Sequence, residues 1–193
     1  MRSFIVVIII ISLQNINCRT KNNLNEFPEL VFRYDKSLLF PPSNFENLSL
    51  SIPLNFENVS GDKYLSVEKK LEANRDSYFD KDILSIYQHS DGHVIIISKI
   101  SDSKNIYGRL NKDFELGLIE VSGASEINRG QFLIDNKETV QYITTYTDFV
   151  NYKLFFDTLK NKCYQIDYFI PLNKFITFQS SVEASISTFK IKK

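Results

Sequence analysis

The sequence predicts an α+β domain, an antiparallel β-sheet meander flanked by helices in an α-β-α sandwich. Three observations predict it. Residues 83–100 read as two apolar runs joined around Asp91 and Gly92, the pattern of a tight hairpin. Between Gln131 and Ile170 four strand-like stretches follow one another across short turns such as "DNK" and "LKNK", which is how consecutive antiparallel strands are connected. Two further segments, one before this meander and one after it, repeat apolar residues at helical spacing.

The elements follow in chain order. Leu30, Phe32 and Tyr34 alternate with Val31, Arg33 and Asp35, a short strand that ends before Pro41 and Pro42; these prolines break regular structure and mark the entry to the main domain. In "NLSLSIPLNF", Asn47 to Phe56, the alternation of Leu48, Leu50, Ile52 and Leu54 predicts a strand closed by Pro53, after which Gly61 and Asp62 open a loop. Residues 63–82 have room for a turn or two of helix with Val67, Leu71 and Ala73 inward. The hairpin comes next, Ile83 to His89 and His93 to Ile100. Ser101, Asp102 and Ser103 then offer caps for a helix whose stripe is Tyr107, Leu110, Phe114, Leu118 and Val121, ended by Gly123. The meander strands are expected at Gln131–Asp135, Glu138–Thr147, Asn151–Thr158 and Lys162–Ile170. Pro171 and Asn173 stop the sheet and cap a last helix carrying Phe175, Phe178, Val182 and Ile186. A helix of this kind laid on a sheet buries both apolar surfaces.

The front of the chain has a different character. Arg2 precedes an unbroken apolar run, Phe4 to Ile11, followed by short polar residues, the layout of a secretory signal and too short to span a bilayer as a mature helix. Cys18 follows directly, and a thiol in that place is a candidate for acylation as the first residue of a bacterial lipoprotein. Asn15, Ile16 and Asn17 depart from the usual lipobox, which wants a leucine three positions before the cysteine and a small residue next to it. Ordinary cleavage nearby and an uncleaved anchor therefore stay open beside lipidation. Arg19 to Glu26 has no apolar period and is rich in Asn and charge, the composition of a solvated tether. The expected organisation is a signal peptide at 1–17, a lipidation site, tether and N-terminal extension at 18–44, and one domain at 45–193.

Charge excludes one class of partner. Lys and Arg number 23 and so do Asp and Glu, so the basic footprint of a nucleic-acid-binding domain is missing and no nucleic acid is expected. With Cys18 acylated, Cys163 has no cysteine to pair with; were Cys18 free in an oxidising compartment, a bridge between the two is conceivable.

The chemistry-bearing residues are few. Both histidines fall in "HSDGH" with Asp91 between them, residue types that suit zinc and related ions. A two-residue turn at Asp91 and Gly92 offsets His89 and His93 by one pairing step and sends them to opposite faces, so neither a metal nor a cofactor is expected. No nucleophile elbow and no Gly-rich phosphate loop accompanies them, and the chain is expected not to be an enzyme. Aromatic residues crowd the meander instead. Tyr142 and Tyr146 share one face of their strand, and Tyr164 and Tyr168 share one face of theirs, a candidate binding surface set against plain cross-strand packing beneath the helices. Two sequons, at Asn47 and Asn58, matter only in a eukaryotic secretory route.

The order "NLSLSIPLNF", hairpin, helix, meander and the closing "YQIDYFIPLNKFITFQSSVEASISTFKI", with its strand ending at Pro171 and its terminal "STFKI", resembles the PsbP, Mog and DcrB-like superfamily over about residues 45–191. The resemblance implies an antiparallel sheet sandwiched by helices and used as a binding scaffold, with no shared catalytic residues to carry over. The functional expectation is a non-enzymatic lipoprotein of a bacterial envelope that binds an envelope protein or a small ligand. The alternative is a lipid- or sugar-binding protein or hydrolase with a pocket between helix and sheet, near Tyr142 and Tyr168.

Overall fold

A computed structural model of the chain describes residues 35–65, 78–101, 104–120, 122–134, 136–157 and 162–192. The strand expected at residues 30–34, most of the segment 63–82, and Cys18 with its surroundings lie outside them.

The expected hairpin is present as β4 (Lys81–His89) and β5 (Val94–Ile100). The meander follows it as β6 (Glu126–Ile134), β7 (Lys137–Thr145), β8 (Phe149–Asp157) and β9 (Cys163–Pro171). With β3 (Phe56–Asn58) these build a seven-stranded sheet in the order β3-β4-β5-β9-β8-β7-β6, antiparallel throughout. The last meander strand returns to pair with the hairpin, Ile97 opposite Ile166, so that the two most apolar strands lie at the centre.

The run "NLSLSIPLNF" does not make one strand. Leu48–Leu50 forms β2, paired with β1 (Ser43–Phe45) and with β10 (Lys190–Ile191) in a separate three-stranded sheet, whereas Phe56 begins β3 in the large sheet. Pro53, which has no N–H to give a ladder, makes only an isolated bridge to Leu39, and Asn55 turns the chain at φ 65. Leu48, Leu50 and Ile52 are buried, but Leu54 beyond the break stands 37% exposed. The Phe40 N–H donates to the Ile52 carbonyl at 2.8 Å and the Leu54 N–H to that of Leu38 at 2.9 Å. Residues 38–40 are thus tied to residues 52–54 by main-chain hydrogen bonds. Where a loop was expected after Ser60, residues 61–65 are helical (α1).

The first expected helix is two: α2 (Ile106–Arg109) and α3 (Lys112–Glu120). Asn111 divides them, because its side-chain oxygen accepts from the N–H groups of Asp113 (2.9 Å) and Phe114 (3.3 Å) and so caps α3. Of the expected stripe, Leu110, Phe114 and Leu118 are buried, Tyr107 is half-buried with its neighbour Ile106 buried instead, and Val121 lies outside the described residues. Gly123, at φ 72, ends α3 as expected and bonds back to the Ile119 carbonyl. The last helix, α4 (Phe175–Ser187), follows a 3-10 turn at Leu172–Lys174; no side chain caps it, so Asn173 does not have the expected role.

Helices cover both faces of the large sheet. On one, Val182 and Ile186 of α4 and Leu48 and Leu50 of the small sheet pack on Ile95, Ile97, Tyr152, Leu154, Ile166 and Tyr168 as one continuous apolar core. On the other, α2 and α3 lay Ile106, Leu110, Phe114 and Leu118 on Val140, Tyr142, Phe155 and Cys163, and a smaller cluster of Val59, Ile86 and Ile96 lies apart. Each large side chain so buried contributes about 1.5–3 kcal/mol.

Candidate functional site

The hairpin end is where the structure departs most from expectation. The ladder of β4 and β5 pairs Tyr87 with Ile95 and Gln88 with Val94, and the His89 N–H donates to the His93 carbonyl at 2.9 Å. His89 and His93 are therefore directly opposite, joined by a three-residue loop, Ser90, Asp91 and Gly92. The Gly92 N–H closes a turn on the His89 carbonyl at 3.0 Å, and Gly92 sits at φ 91, a backbone position that favours glycine. One residue more in the loop than expected reverses the prediction, because residues facing each other across a ladder point to the same side. The two imidazole rings lie 5.2 Å apart.

Asp91 completes the cluster: one ligand atom from each of His89, Asp91 and His93 lies within 4.8 Å of the others. The Asp91 N–H donates to His89 Nδ1 at 3.0 Å, which leaves the ring proton of neutral His89 on Nε2. Lys174, just ahead of α4, holds the Asp91 carboxylate from outside, Nζ to Oδ2 at 3.2 Å. That ammonium keeps Asp91 below the ordinary carboxylate value. His93 is only 3% exposed and stacks on Phe178 of α4 at 4.1 Å and 16°, with Phe56 at 6.3 Å. Burial first, and then the neighbouring His89, depress its basicity against the pull of Asp91, so the ring is neutral at pH 7. Among the described residues its Nδ1 is buried without a hydrogen-bond partner. A neutral buried imidazole, a second imidazole and an ionised carboxylate make a donor set with no proton blocking the carboxylate.

The four tyrosines expected to form a surface do not form one. Tyr142, Tyr164 and Tyr168 are buried, and Tyr146 is half-buried and stacked on Phe149 at 4.3 Å. Tyr142 belongs to the face under α3, where its hydroxyl donates to the Leu110 carbonyl at 3.1 Å and accepts from Arg129 Nε at 3.2 Å. Tyr164 and Tyr168 belong to the opposite face. The Ser185 hydroxyl donates to the Ser51 carbonyl at 2.6 Å, so Tyr168 must donate to Ser185 at 2.9 Å, and this chain ties β9 to α4. The tyrosines are cross-strand and helix-sheet packing, and Tyr142 and Tyr168 line no common pocket.

A buried polar row escaped the sequence reading. Ser98 faces Gln165, Asp167 faces Lys153 and Asn151 faces Thr144 across β5, β9, β8 and β7, all buried. Asp167 accepts from Lys153 Nζ at 2.6 Å, Gln165 Nε2 at 2.7 Å and Asn151 Nδ2 at 3.3 Å. The signal was present: in "NYKLFF" and "YQIDYF" polar residues recur at every second position, a pattern that reads as a solvent-facing side of a strand.

No helix among the described residues is long and apolar enough to cross a membrane. No family model matches the chain, and no curated protein matches it. Among solved structures the chain is similar to the solution structure of cyanobacterial PsbP (CyanoP) from Synechocystis sp. PCC 6803, at 15% identity and a TM-score of 0.46, over 75% of this chain and 86% of that one. The α+β class itself stands on the strands and helices described above.

Proposed function

We propose that the protein is a non-enzymatic accessory or binding protein of a bacterial envelope, exported by residues 1–17, held to a membrane by acyl chains on Cys18, and associating with a partner protein through an open sheet edge. The observation that carries the reading is the order of residues 4–26: an apolar run, a cysteine, then a polar charged stretch with no apolar period. Support for the mode of association comes from β6, nine residues long, which among the described residues pairs with β7 alone. An unpaired strand edge accepts an added strand by main-chain hydrogen bonds, and side chains there set specificity. On β6 the exposed side chains are Glu126, Asn128 and Arg129.

Metabolic labelling with a clickable fatty acid in a bacterial host tests the tether. Label on the wild type and none on Cys18→Ala is the expected result; an unlabelled wild type, or equal label on the variant, sinks it. A photo-crosslinking residue at Asn128 on β6, compared with one at exposed Glu57 on β3, tests the edge. Capture of one envelope protein from the first position only is expected, and equal capture from both removes β6 as the association edge.

A further inference from the structure

We propose that His89, Asp91 and His93 at the β4–β5 hairpin end form a binding site for a divalent transition-metal ion of the zinc class. Imidazole nitrogen and carboxylate oxygen are the donors such ions select, and two histidines with one carboxylate make a three-ligand site with a fourth position for water or an outside donor. This goes beyond the proposed tether and edge and depends on neither.

The geometry is set by the backbone rather than by chance approach of long side chains. Ladder pairing places His89 and His93 opposite each other, and the Gly92 turn returns Asp91 above them, so three donors from five consecutive residues lie within 4.8 Å. A tetrahedral ion with bonds of about 2.0–2.1 Å draws its ligands to roughly 3.4 Å of one another, a closure within reach of side-chain rotation. His89 and Asp91 are free to make that rotation because they are half-buried and exposed, while His93 is held by its stack on Phe178.

The second observation is the state of His93. A buried polar atom without a partner is uncommon in folded proteins, and a bound water or ion is one ordinary way in which it is satisfied. His93 Nδ1 is such an atom, on a ring that is almost completely buried beside the other two donors. Phe178 and Phe56 wall the cluster on the helix side and lower the local dielectric, which strengthens attraction between a cation and Asp91.

The third is a charge already in place. Lys174 Nζ lies 3.2 Å from Asp91 Oδ2 on a side chain nearly half exposed, so a divalent ion displaces one positive charge from the carboxylate and the lysine swings into water. Binding has a second internal consequence. An ion on His89 Nδ1 displaces the Asp91 N–H, and an ion on Nε2 requires the ring proton to move to Nδ1, where it repels that N–H. Either route breaks the Asp91 N–H to His89 contact.

The test is titration of the untagged full chain with Zn2+ by calorimetry and with Co2+ by absorption, together with amide NMR. One ion per chain is expected, with ligand-field bands of nitrogen- and oxygen-ligated Co2+ and a shift of the Asp91 amide. His89→Ala, at a half-buried position beside Phe56, and Asp91→Asn, at an exposed one, are expected to weaken Zn2+ binding at least tenfold, a loss seen even when outer-shell partners of metal ligands are removed. Lys174→Ala is expected to tighten it by up to about fivefold, the worth of an exposed ion pair it no longer has to break. Saturable binding that is unchanged in His89→Ala and Asp91→Asn, an unmoved Asp91 amide at saturation, or no saturable binding overturns the proposal. None of these results bears on fatty-acid labelling of Cys18.

Discussion

The two faces of the large sheet are built from the same strands and yet differ in kind. Under α4 the sheet presents Ile95, Ile97, Leu154, Ile166 and Tyr168 without a charged residue among them, and the small sheet completes the cover. Under α2 and α3 the apolar cluster stops at Phe155 and Cys163, a second one begins at Ile96, and the row of Ser98, Gln165, Asp167, Lys153, Asn151 and Thr144 runs between. The first face stabilises by area removed from water and is indifferent to which apolar atom meets which. The second buries a Lys–Asp pair at a desolvation cost that its hydrogen bonds offset only in part, because Thr144 Oγ1, Asn151 Oδ1 and Gln165 Oε1 are buried without a hydrogen-bond partner among the described residues.

Experiments that break this contrast begin with the apolar face. Phe156→Ala removes a ring stacked on Phe189 at 3.7 Å, and is expected to cost about 3–5 kcal/mol as read from urea midpoints. On the polar face Asp167→Ala strips three donors of their shared acceptor and is expected to cost about 3 kcal/mol. Lys153→Met is expected to cost less, because Asp167 keeps the amides of Asn151 and Gln165; a larger loss for Lys153→Met than for Asp167→Ala means that the carboxylate is not the hub of the row. Tyr168→Phe, which removes a hydroxyl donor to Ser185 and leaves the ring in place, is expected to cost about 0.5–1.5 kcal/mol.

The smallest effect concerns Cys163, at the border of the two regions. Burial raises its thiol above the ordinary value of 9.0, so the folded state resists forming the thiolate. The stabilisation from this group is complete below that value and declines as pH rises past it, because the unfolded chain then gives up a proton that the folded chain keeps. Urea midpoints taken from about pH 8 to 10 are expected to fall more steeply for the Cys18→Ser chain than for Cys18→Ser/Cys163→Ala. In the same Cys18→Ser chain a thiol reagent is expected to label Cys163 only at the rate of unfolding. Fast labelling in native buffer contradicts the burial on which this prediction rests.

Much of the architecture was legible because it rests on local periodicity. The stripe of Leu110, Phe114 and Leu118, the stripe of Val182 and Ile186, and the short polar turns of the meander each report burial of one side of one element, and the structure buries those residues. Failures arose where two local rules competed. Asn111 carries a capping side chain inside an otherwise helical stripe, and capping won. Pro53 and Asn55 lie inside an alternating run, and the chain left one sheet for another there. The candidate site was half legible: "HSDGH" stood out by residue type, but its loop length did not follow from sequence. Ile83, Ile86, Ile95 and Ile96 are apolar on both sides of the strands, so a one-residue change of register carried no hydrophobic penalty that the sequence displays.

By itself the sequence determined the hairpin, the meander, the helical stripes before and after it, their order, the places of Gly92 and Gly123 in turns, and the apolar run, cysteine and polar stretch at the front. These are properties of residues near one another in the chain, where spacing and backbone preference act directly. Only the tertiary structure decided that Tyr142 and Tyr168 lie on opposite faces, that Lys153 meets Asp167 inside the protein, and that His89, Asp91 and His93 converge beside Phe178. Those depend on strand pairing and on which helix covers which face, and side chains that alternate at every residue translate a single step of register into the difference between apart and together.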